Sequence, residues 1–397
     1  MNFGLFLLSL LSLLALAMSS PTCETRNVPF VLIGAGGVGG ALLEAIVSSR
    51  SLHAERYGIK FTAQSICDSS AAVSGGDDGL SDAEIAELIA LKSGGGKLSS
   101  KAGAAVRPDG QDAAAFLESV AASKPDAIIV DCTATDATVP ALLKAGKAVS
   151  ANKKPFADSA LSDFQKLVLR PQGLQRMRYE SSVGAGLPVI AALQRVVSAN
   201  DAVSLISGSF SGTLGYVMSG LQAGDPFSQV VLKAKDLGYT EPDPRDDLGG
   251  VDVARKALIL ARTMGMPLEM SDVQVEPLYP PELAELSVPD FLAALPTLDA
   301  SFAEKVKAAA AEGKVLRYAA SVKPPSASNP KGSLTVGLLT VGSGTPLGTL
   351  SGSDNLVEIY TKWYDPNPLV VRGAGAGTGT TAAGVLSDMI ELAFTRD

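Results

Sequence analysis

The sequence predicts an α/β chain. A doubly wound, mostly parallel sheet is expected over residues 28–156, an α+β domain over 157–365 and a closing loop and helix over 366–397. Three observations carry this. An unbroken apolar run, Val28 to Ile33, leads into a glycine cluster and then a helical pattern. Strand-like and helix-like segments alternate from there to about Phe156, the order that gives a parallel sheet with helices on both faces. Past Ala157 the alternation gives way to longer strand patterns, glycine-linked helices and a Pro/Ser linker, "KPPSASNPKG".

The first segment stands apart from the fold. Its apolar run, Phe3 to Met18, is shorter than the ~20 residues that span a bilayer, and small residues follow it, as after a signal-peptide core. Residues 1–20 therefore read as a cleaved signal or targeting segment, although no basic residue precedes the run. That reading implies entry to the secretory route or to an organelle such as a plastid. The alternatives are a short anchor or a mis-assigned start, the latter implying a cytoplasmic protein. No stable membrane association is expected.

"VPFVLIGAGGVGGALLEAIVSS" is a strand, a turn and a helix. Gly34, Gly36 and Gly39 form G-x-G-x-x-G, with Ala35, Gly37 and Val38 between them. In that context the motif is the Rossmann-type dinucleotide fingerprint: a tight turn, a close backbone approach to the pyrophosphate, and a close helix–strand packing. The helix N-terminus offers free N–H groups to the phosphates. "KFTAQSICDSS" reads as the second strand, ending at Asp68. An acid there either holds the ribose hydroxyls of NAD, repelling the 2′-phosphate of NADP, or simply closes a strand-end turn. "DAIIVDCTATD" and "AVSANKK" place Cys132, Thr133, Asn152 and Lys153 at carboxyl ends of strands, where open α/β sheets bind ligands.

Beyond Ala157, "MRYESSVGAGLPVIAALQRVV" joins a strand to a helix through glycines, and "AVSLISGSFSGTLGYVMSGL" gives a further strand, loop and helix. Strands are also expected at "KVLRYAASV" and "SLTVGLLTV". "VVRGAGAGTGTTAAGVLSDMIELAF" closes the chain with a glycine loop and an amphipathic helix that docks back on the nucleotide domain.

Composition narrows the chemistry. A net charge of −8 without a basic stripe argues against nucleic acid. The three cysteines, Cys23, Cys67 and Cys132, have neither disulfide nor zinc spacing. The single histidine, His53, sits in a polar stretch and reads as a surface residue. Acid–base work therefore falls to Lys, Asp, Glu, Tyr or Cys. One segment stands out, "GYTEPDPRDDLGGVDVARK", from Gly238 to Lys256, with five carboxylates and a terminal lysine. It is either a solvated helix start or a pocket for a cationic small molecule.

Several separate segments together resemble the homoserine dehydrogenases, most closely the short monofunctional fungal form. They are "GAGGVGG", "ANKKPF", "YESSVGAGLPVI", "SFSGTLGYV", "GYTEPDPRDDLGGVDVARK", "GSDN" and "GAGAGTGTTAAGVLSD". The resemblance spans Val28 to about Phe394. It implies NAD(P)-dependent interconversion of L-homoserine and L-aspartate 4-semialdehyde, in the aspartate-derived route to threonine, methionine and isoleucine. It implies cofactor contacts at Ala35, Gly37, Val38, Thr133 and Lys153, with Gly238 and Gly377 near the cofactor. Thr213, Glu241, Asp247 and Asp252 look like homoserine ligands, and Lys256 like the catalytic acid/base. A monovalent cation, usually sodium, would map to Glu180, Val183, Ala185 and Leu187, mostly through backbone carbonyls; the alternative is a plain glycine turn. Residues 157–365 would also dimerise, giving a homodimer. Neither an aspartokinase domain nor a regulatory extension is expected. Cys132 stands where the fungal family has Asn.

Asp252 and Lys256 are four apart on a helix starting near Gly250, so they share one face. A lysine in a partly dehydrated cleft has a lowered pKa and suits proton transfer, with Asp252 orienting it and Lys153 beside the cofactor. Two other readings compete. One is a different semialdehyde dehydrogenase with Cys132 as nucleophile, which would need a paired base; the other is a nucleotide-binding regulator without turnover.

Overall fold

Strand β1 (Arg26–Ile33) is the spine of the first sheet. In the computed structural model, which describes residues 25–395, β1 is buried over most of its length. Its side chains divide by parity between two cores: Val28, Phe30 and Leu32 enter one, Val31 and Ile33 the other. A strand covered on both faces needs apolar residues at every position, hence the unbroken run. The expected targeting segment, residues 1–20, lies outside the described residues.

β1 pairs in parallel with β2 (Ile59–Cys67) and β5 (Ile128–Asp131); β6 (Lys147–Ser150) and β7 (Met177–Arg178) extend the sheet beyond β5, again in parallel. The seventh strand thus comes from beyond residue 156, where the sequence suggested a boundary. On the other side, β3 (Ala71–Ser74) and β4 (Ala105–Val106) add antiparallel strands that the sequence reading did not contain. The hairpin between β2 and β3 is made by Asp68, whose Oδ1 accepts the Ser70 N–H at 2.8 Å while its own N–H donates to the Ala71 carbonyl at 3.0 Å. An Asp side chain bonding the backbone two residues on is a turn device. Helices α1 (Gly37–Ser48), α2 (Asp82–Ser93) and α11 (Thr378–Phe394) supply Leu42, Leu43, Leu88, Val385, Met389 and Leu392 to one face. Helices α3 (Ala113–Ala122) and α4 (Val139–Lys144) supply Phe116, Leu117 and Leu142 to the other. The chain therefore has the doubly wound nucleotide-type sheet, with its last helix returning onto its first.

The second sheet has six strands in the order β13-β12-β8-β10-β11-β9. At its centre are β8 (Val203–Ser209), β10 (Lys314–Lys323) and β11 (Ser333–Gly342), all three expected from the sequence. β12 (Asp354–Thr361), β13 (Leu369–Ala374) and the short β9 (Gln274–Val275) complete it. Helix α7 (Gly212–Ala223) and helix α9 (Val251–Thr263) pack on it; α9 is buried at nine of its residues, from Val253 to Thr263. One core runs from Ile129 of the first sheet through Ile259 of α9 to Tyr318 of the second. Helix α9 is thus the element through which the two sheets share an interior.

Where a side chain is forbidden, the glycine turn is specific. A Cβ on Gly39 would lie 2.1 Å from the Gly34 carbonyl oxygen, whereas one on Gly36 would meet nothing within 4 Å. Gly39→Ala should therefore force α1 off the turn and lower stability by about 1–3 kcal/mol. Gly36→Ala should leave the melting temperature unchanged and weaken nucleotide binding, because the space it fills is outside the protein's own packing. Thermal melting beside a nucleotide titration of both variants checks this; equal melting losses would contradict it.

Candidate active site

The nucleotide end of the site is built on the turn between β1 and α1. Gly34 has φ +97°, a left-handed value that a glycine adopts at no steric cost, and a Cβ there would strike the Cys132 backbone and Thr133 Cγ2 at 2.8–2.9 Å. Ala35 is buried, Val38 is half-buried, and Gly36 and Gly37 are exposed at the start of α1. A Cβ on Gly37 would lie 2.9 Å from Thr378, which follows Gly377 at the start of α11. Gly34, Ala35, Gly36, Gly37, Val38, Gly39, Thr133 and Gly377 are thus drawn to one place. The open backbone at Gly36 and the free N–H groups of α1 suit a dinucleotide pyrophosphate.

Thr133 is held by a residue the sequence reading passed over. Asp131, fully buried at the end of β5, accepts from the Thr133 N–H (2.9 Å) and hydroxyl (2.7 Å), from Thr138 Oγ1 (2.9 Å) and from Ser150 Oγ (3.0 Å). Asn152 Nδ2 lies 3.3 Å from the same carboxylate and 3.1 Å from Thr133 Oγ1. Burial pushes the Asp131 carboxyl up, opposed by these bonds. Its signal in the sequence was one acid closing an otherwise apolar strand, "AIIVD".

The geometry corrects or decides three sequence expectations. Asp68 does not present itself to a ribose. Oδ1 accepts from Ser70 N (2.8 Å), Ser70 Oγ (2.6 Å) and Ala71 N (3.2 Å), and Oδ2 from Lys92 Nζ (2.7 Å) and Leu98 N (3.1 Å). Of the two readings, the turn acid is the one the geometry supports. Burial raises its pKa, but the Lys92 and Ser70 bonds outweigh it and hold it at about 2. His53 is not a surface residue. It is buried on the helix Arg50–Tyr57, edge-on to Phe61 at 5.9 Å, and burial lowers its pKa. The polar letters around it face outward while this one faces β2. For Cys132, burial and the Asp131 charge push the thiol up, away from the thiolate that a nucleophile needs, which does not support the nucleophile reading.

The acidic segment lines a cavity of about 990 Å³, together with Lys153, Ser211, Arg255 and Tyr279. Its five carboxylates have different tasks. Asp243 grips Arg245 (2.7 Å), which also donates to the Ala284 and Leu286 carbonyls, so that pair shapes the wall. Asp247 accepts the Glu241 N–H at 2.8 Å, and Thr213 donates its hydroxyl to the Tyr239 carbonyl at 2.6 Å, so both hold the loop in place. Burial raises the Asp247 pKa. Among the described residues, the carboxylates of Glu241 and Asp246 have no hydrogen-bond partner and line the cavity. Gly238 ends helix α8 (Phe227–Asp236) with φ +71° and feeds this loop without lining the cavity.

Asp252 is the centre. Its Oδ1 is 2.5 Å from Lys153 Nζ and its Oδ2 is 2.8 Å from Lys256 Nζ. Lys256 also donates to the Phe210 carbonyl at 2.7 Å, at the end of β8. Burial would raise the Asp252 pKa, but Lys256 and Lys153 overcome it and hold the carboxyl well below the usual range. For Lys256, burial lowers the pKa, Asp252 opposes this, and Lys153 lowers it further. Lys256 is 12% exposed and Lys153 37%. The less exposed lysine, backed by a carboxylate that lines the cavity, is therefore the better proton carrier.

The expected cation loop lies elsewhere, under the start of α11. The Glu180 carboxylate accepts the N–H groups of Ile190 (2.6 Å) and Ala191 (2.8 Å) at the start of α6 (Val189–Ser198). Burial raises its pKa to about 7. Ala185 is left-handed at φ +58°, and the Leu187 carbonyl accepts the Val189 N–H. The Val183 and Ala185 carbonyls receive no hydrogen bond among the described residues. No cluster of three His, Cys, Asp or Glu side chains suited to a metal occurs among those residues. The Val183 and Ala185 carbonyls are oxygen donors of the kind that hard cations take. Among the described residues, no helix is long and apolar enough to cross a membrane.

Comparison with known proteins agrees with the motif resemblance. A family model described as Homoserine dehydrogenase matches residues 188–390. The homoserine dehydrogenase of Emericella nidulans is 40% identical over 67% of this chain and 75% of its own length; that of Schizosaccharomyces pombe is 39% identical over 70% and 76%. The bifunctional aspartokinase/homoserine dehydrogenase 2 of Zea mays is 35% identical over 91% of this chain, which spans 38% of that protein. The chain covers about a third of the length of such bifunctional relatives, 32% for the one from Haemophilus influenzae. A Candida auris protein of unknown function has a similar structure, with TM-score 0.78, 34% identity and coverage of 92% and 98% of the two chains. A hyperthermophilic archaeal homoserine dehydrogenase in complex with NADPH shares the fold at TM-score 0.69 and 22% identity, over 94% and 99%.

Asp68 yields a prediction with a defined sign. Its pKa falls from 3.8 to about 2 on folding, so its contribution is complete above the unfolded value and is lost as pH falls through the folded one. At 11% exposure, the shift corresponds to about 2 kcal/mol. Asp68→Asn should cost about that much at neutral pH, and leave the ratio of kcat/KM for NAD and NADP unchanged. A changed ratio with an unchanged melting temperature would restore the ribose role.

Proposed function

Because the chain belongs to the homoserine dehydrogenase family, we propose that it interconverts L-homoserine and L-aspartate 4-semialdehyde with NAD(P), Lys256 carrying the proton. The observation that supports this most directly is the Lys153–Asp252–Lys256 array, whose Lys153 and Asp252 line an acidic cavity and whose Lys256 lies behind them on Asp252. Homoserine is a zwitterion. Its ammonium finds acceptors in Glu241, with Asp246 and Asp247 nearby, through charge-assisted hydrogen bonds. Its carboxylate finds Lys153, since Arg245 and Arg255 on the same wall are held by Asp243 and Asp158.

The cofactor's share of the chemistry, when bound, is acceptance of a hydride from the hydroxyl-bearing carbon. Gly34, Gly36, Gly37 and the first N–H groups of α1 would hold its pyrophosphate, and Thr133 and Lys153 would contact the cofactor from the neighbouring strand ends. Lys256 starts neutral and takes the hydroxyl proton as the C=O bond forms; in reduction the ammonium returns it. Burial makes the neutral form accessible, and Asp252 orients the nitrogen and stabilises the ammonium. The locked Asp68 gives no ground for preferring NAD over NADP.

Two family features extend the proposal. Sodium is assigned to the carbonyls of Val183 and Ala185, with Glu180 and Leu187 completing the loop. Exchanging sodium for choline chloride at constant ionic strength should then lower the melting temperature, whereas no change would remove the ion. A homodimer is supported by the edge strand β13 and by the exposed Trp363 and Tyr364 beside it, and sedimentation equilibrium decides it.

Lys256→Met keeps the stem and removes the ionisable nitrogen. Turnover at saturating homoserine should fall roughly 10²–10⁴-fold, with cofactor affinity nearly unchanged. Lys153→Met should weaken cofactor use as well as rate. Near-normal turnover of Lys256→Met would end this assignment.

A further inference from the structure

Arg262 is the largest fully buried side chain among the described residues. It lies at the far end of α9 from Asp252, outside the cavity. Its Nε donates to the Leu268 carbonyl at 2.9 Å. Its Nη1 reaches the carbonyls of Phe156 (2.8 Å), Ser159 (3.0 Å) and Ala157 (3.3 Å). Its Nη2 pairs with Glu269, whose other oxygen accepts the Leu161 N–H at 2.9 Å, and the guanidinium lies over the Phe164 ring at 5.7 Å. Burying a guanidinium is expensive unless every donor is used. Here its donors are spent chiefly on the backbone of one short segment, 156–159.

That segment is the continuation of Lys153. Helix α5 (Lys154–Ala157) is a single turn, too short to hold itself together. The Lys153 carbonyl accepts the N–H groups of Phe156 and Ala157, each at 3.0 Å, and the carbonyls of those two residues are the ones that accept from Arg262. Orphan carbonyls at a helix end need such partners. Seven residues before Arg262, on the same side of α9, Arg255 pairs with Asp158 at 2.8 Å. This second tie is partly exposed and hence weak. The helix that carries Asp252 and Lys256 therefore grips, at its other end, the turn that carries Lys153.

We propose that Arg262 is a positioning residue for the reaction: by fixing the Lys153 turn against α9, it sets the spacing of Lys153, Asp252 and Lys256. This rests on the reading of Lys256 as acid/base. A planar fork is required because the acceptors lie in several directions, which the single nitrogen of a lysine does not span. The consequence has a sign. Lys256 meets Asp252 on its own helix, Lys153 from the α5 turn and the Phe210 carbonyl from the end of β8, while Glu241, Asp246 and Asp247 line the cavity with Lys153 and Asp252. Of these, only Lys153 depends on Arg262. If Lys153 drifts away, Lys256 loses a like charge and keeps Asp252 to itself, and both effects favour its ammonium. Homoserine oxidation needs the neutral amine, so its ascending pH limb must move to higher pH.

The test is the pH profile of homoserine oxidation by the full chain carrying Arg262→Lys, beside the parent and Lys256→Met. Arg262→Lys should lose about ten- to a hundredfold in kcat at neutral pH and recover part of it as pH rises, its limb displaced to the alkaline side. A merely structural role would lower the melting temperature and leave the limb where it is; that result overturns the proposal. Should Arg262→Lys fail to fold, Glu269→Gln decides, since it keeps the arginine and loosens its hold. A smaller shift in the same direction supports the proposal, and an unmoved limb refutes it. An active Lys256→Met would instead refute the acid/base assignment, so the two failures are distinguishable.

Discussion

One carboxylate shared by two lysines holds this site together. Asp252 stands between Lys153, which comes from the end of the nucleotide sheet, and Lys256, one turn further along its own helix. Two like charges at such distances repel, and each would be costly in a half-buried wall without a counter-ion. The carboxylate makes the arrangement tolerable and leaves one positive charge in excess. That excess is matched by the acids of the facing loop. The rest of the architecture can be understood as what is needed to deliver a lysine from the end of the nucleotide sheet and one from α9 itself to opposite oxygens of one side chain.

The delivery depends on α9. It is buried along most of its length because it fills the space between the sheets, and its burial makes it a rigid reference for both. Asp131 plays the corresponding part on the nucleotide side, where hydroxyls and an amide from three segments converge on one carboxylate. In both places one acid, buried at Asp131 and half-buried at Asp252, uses both oxygens to fix neighbouring side chains. The loops that carry the facing residues can then be short of regular structure and still be well placed.

Much of this was legible in the sequence, because the signals were local. The unbroken apolar run of β1, the glycine spacing and the four-residue step from Asp252 to Lys256 are each read within a few residues of chain. β3 and β4 were not legible, since strands of four and two residues carry too little pattern to separate from a loop. Asp68 looked like a ribose acid by position alone; its partners Lys92 and Leu98 lie on a later helix and loop that only the fold brings back. His53 has polar neighbours in sequence and aromatic ones in space. Lys153 reaching Asp252, and Arg262 reaching the turn after Lys153, are likewise contacts between remote segments, which no periodicity records.

Helix α11 places residues 382–393 in the same core as α1 and β1, and its start closes over Gly37. The nucleotide-binding half is therefore discontinuous, with the whole second sheet inserted between its penultimate and final parts. Synthesis proceeds from the N-terminus, and domains ordinarily fold as they emerge. Here one face of the early strands, covered in part by α1 and α2, lacks the side chains of α11 until about residue 394 has left the ribosome. The interval is set by translation of more than two hundred residues at roughly 5–20 per second. During it, the nascent chain exposes the surface that chaperones bind, so its yield in a cell is sensitive to the speed of elongation as well as to the stability of the finished fold.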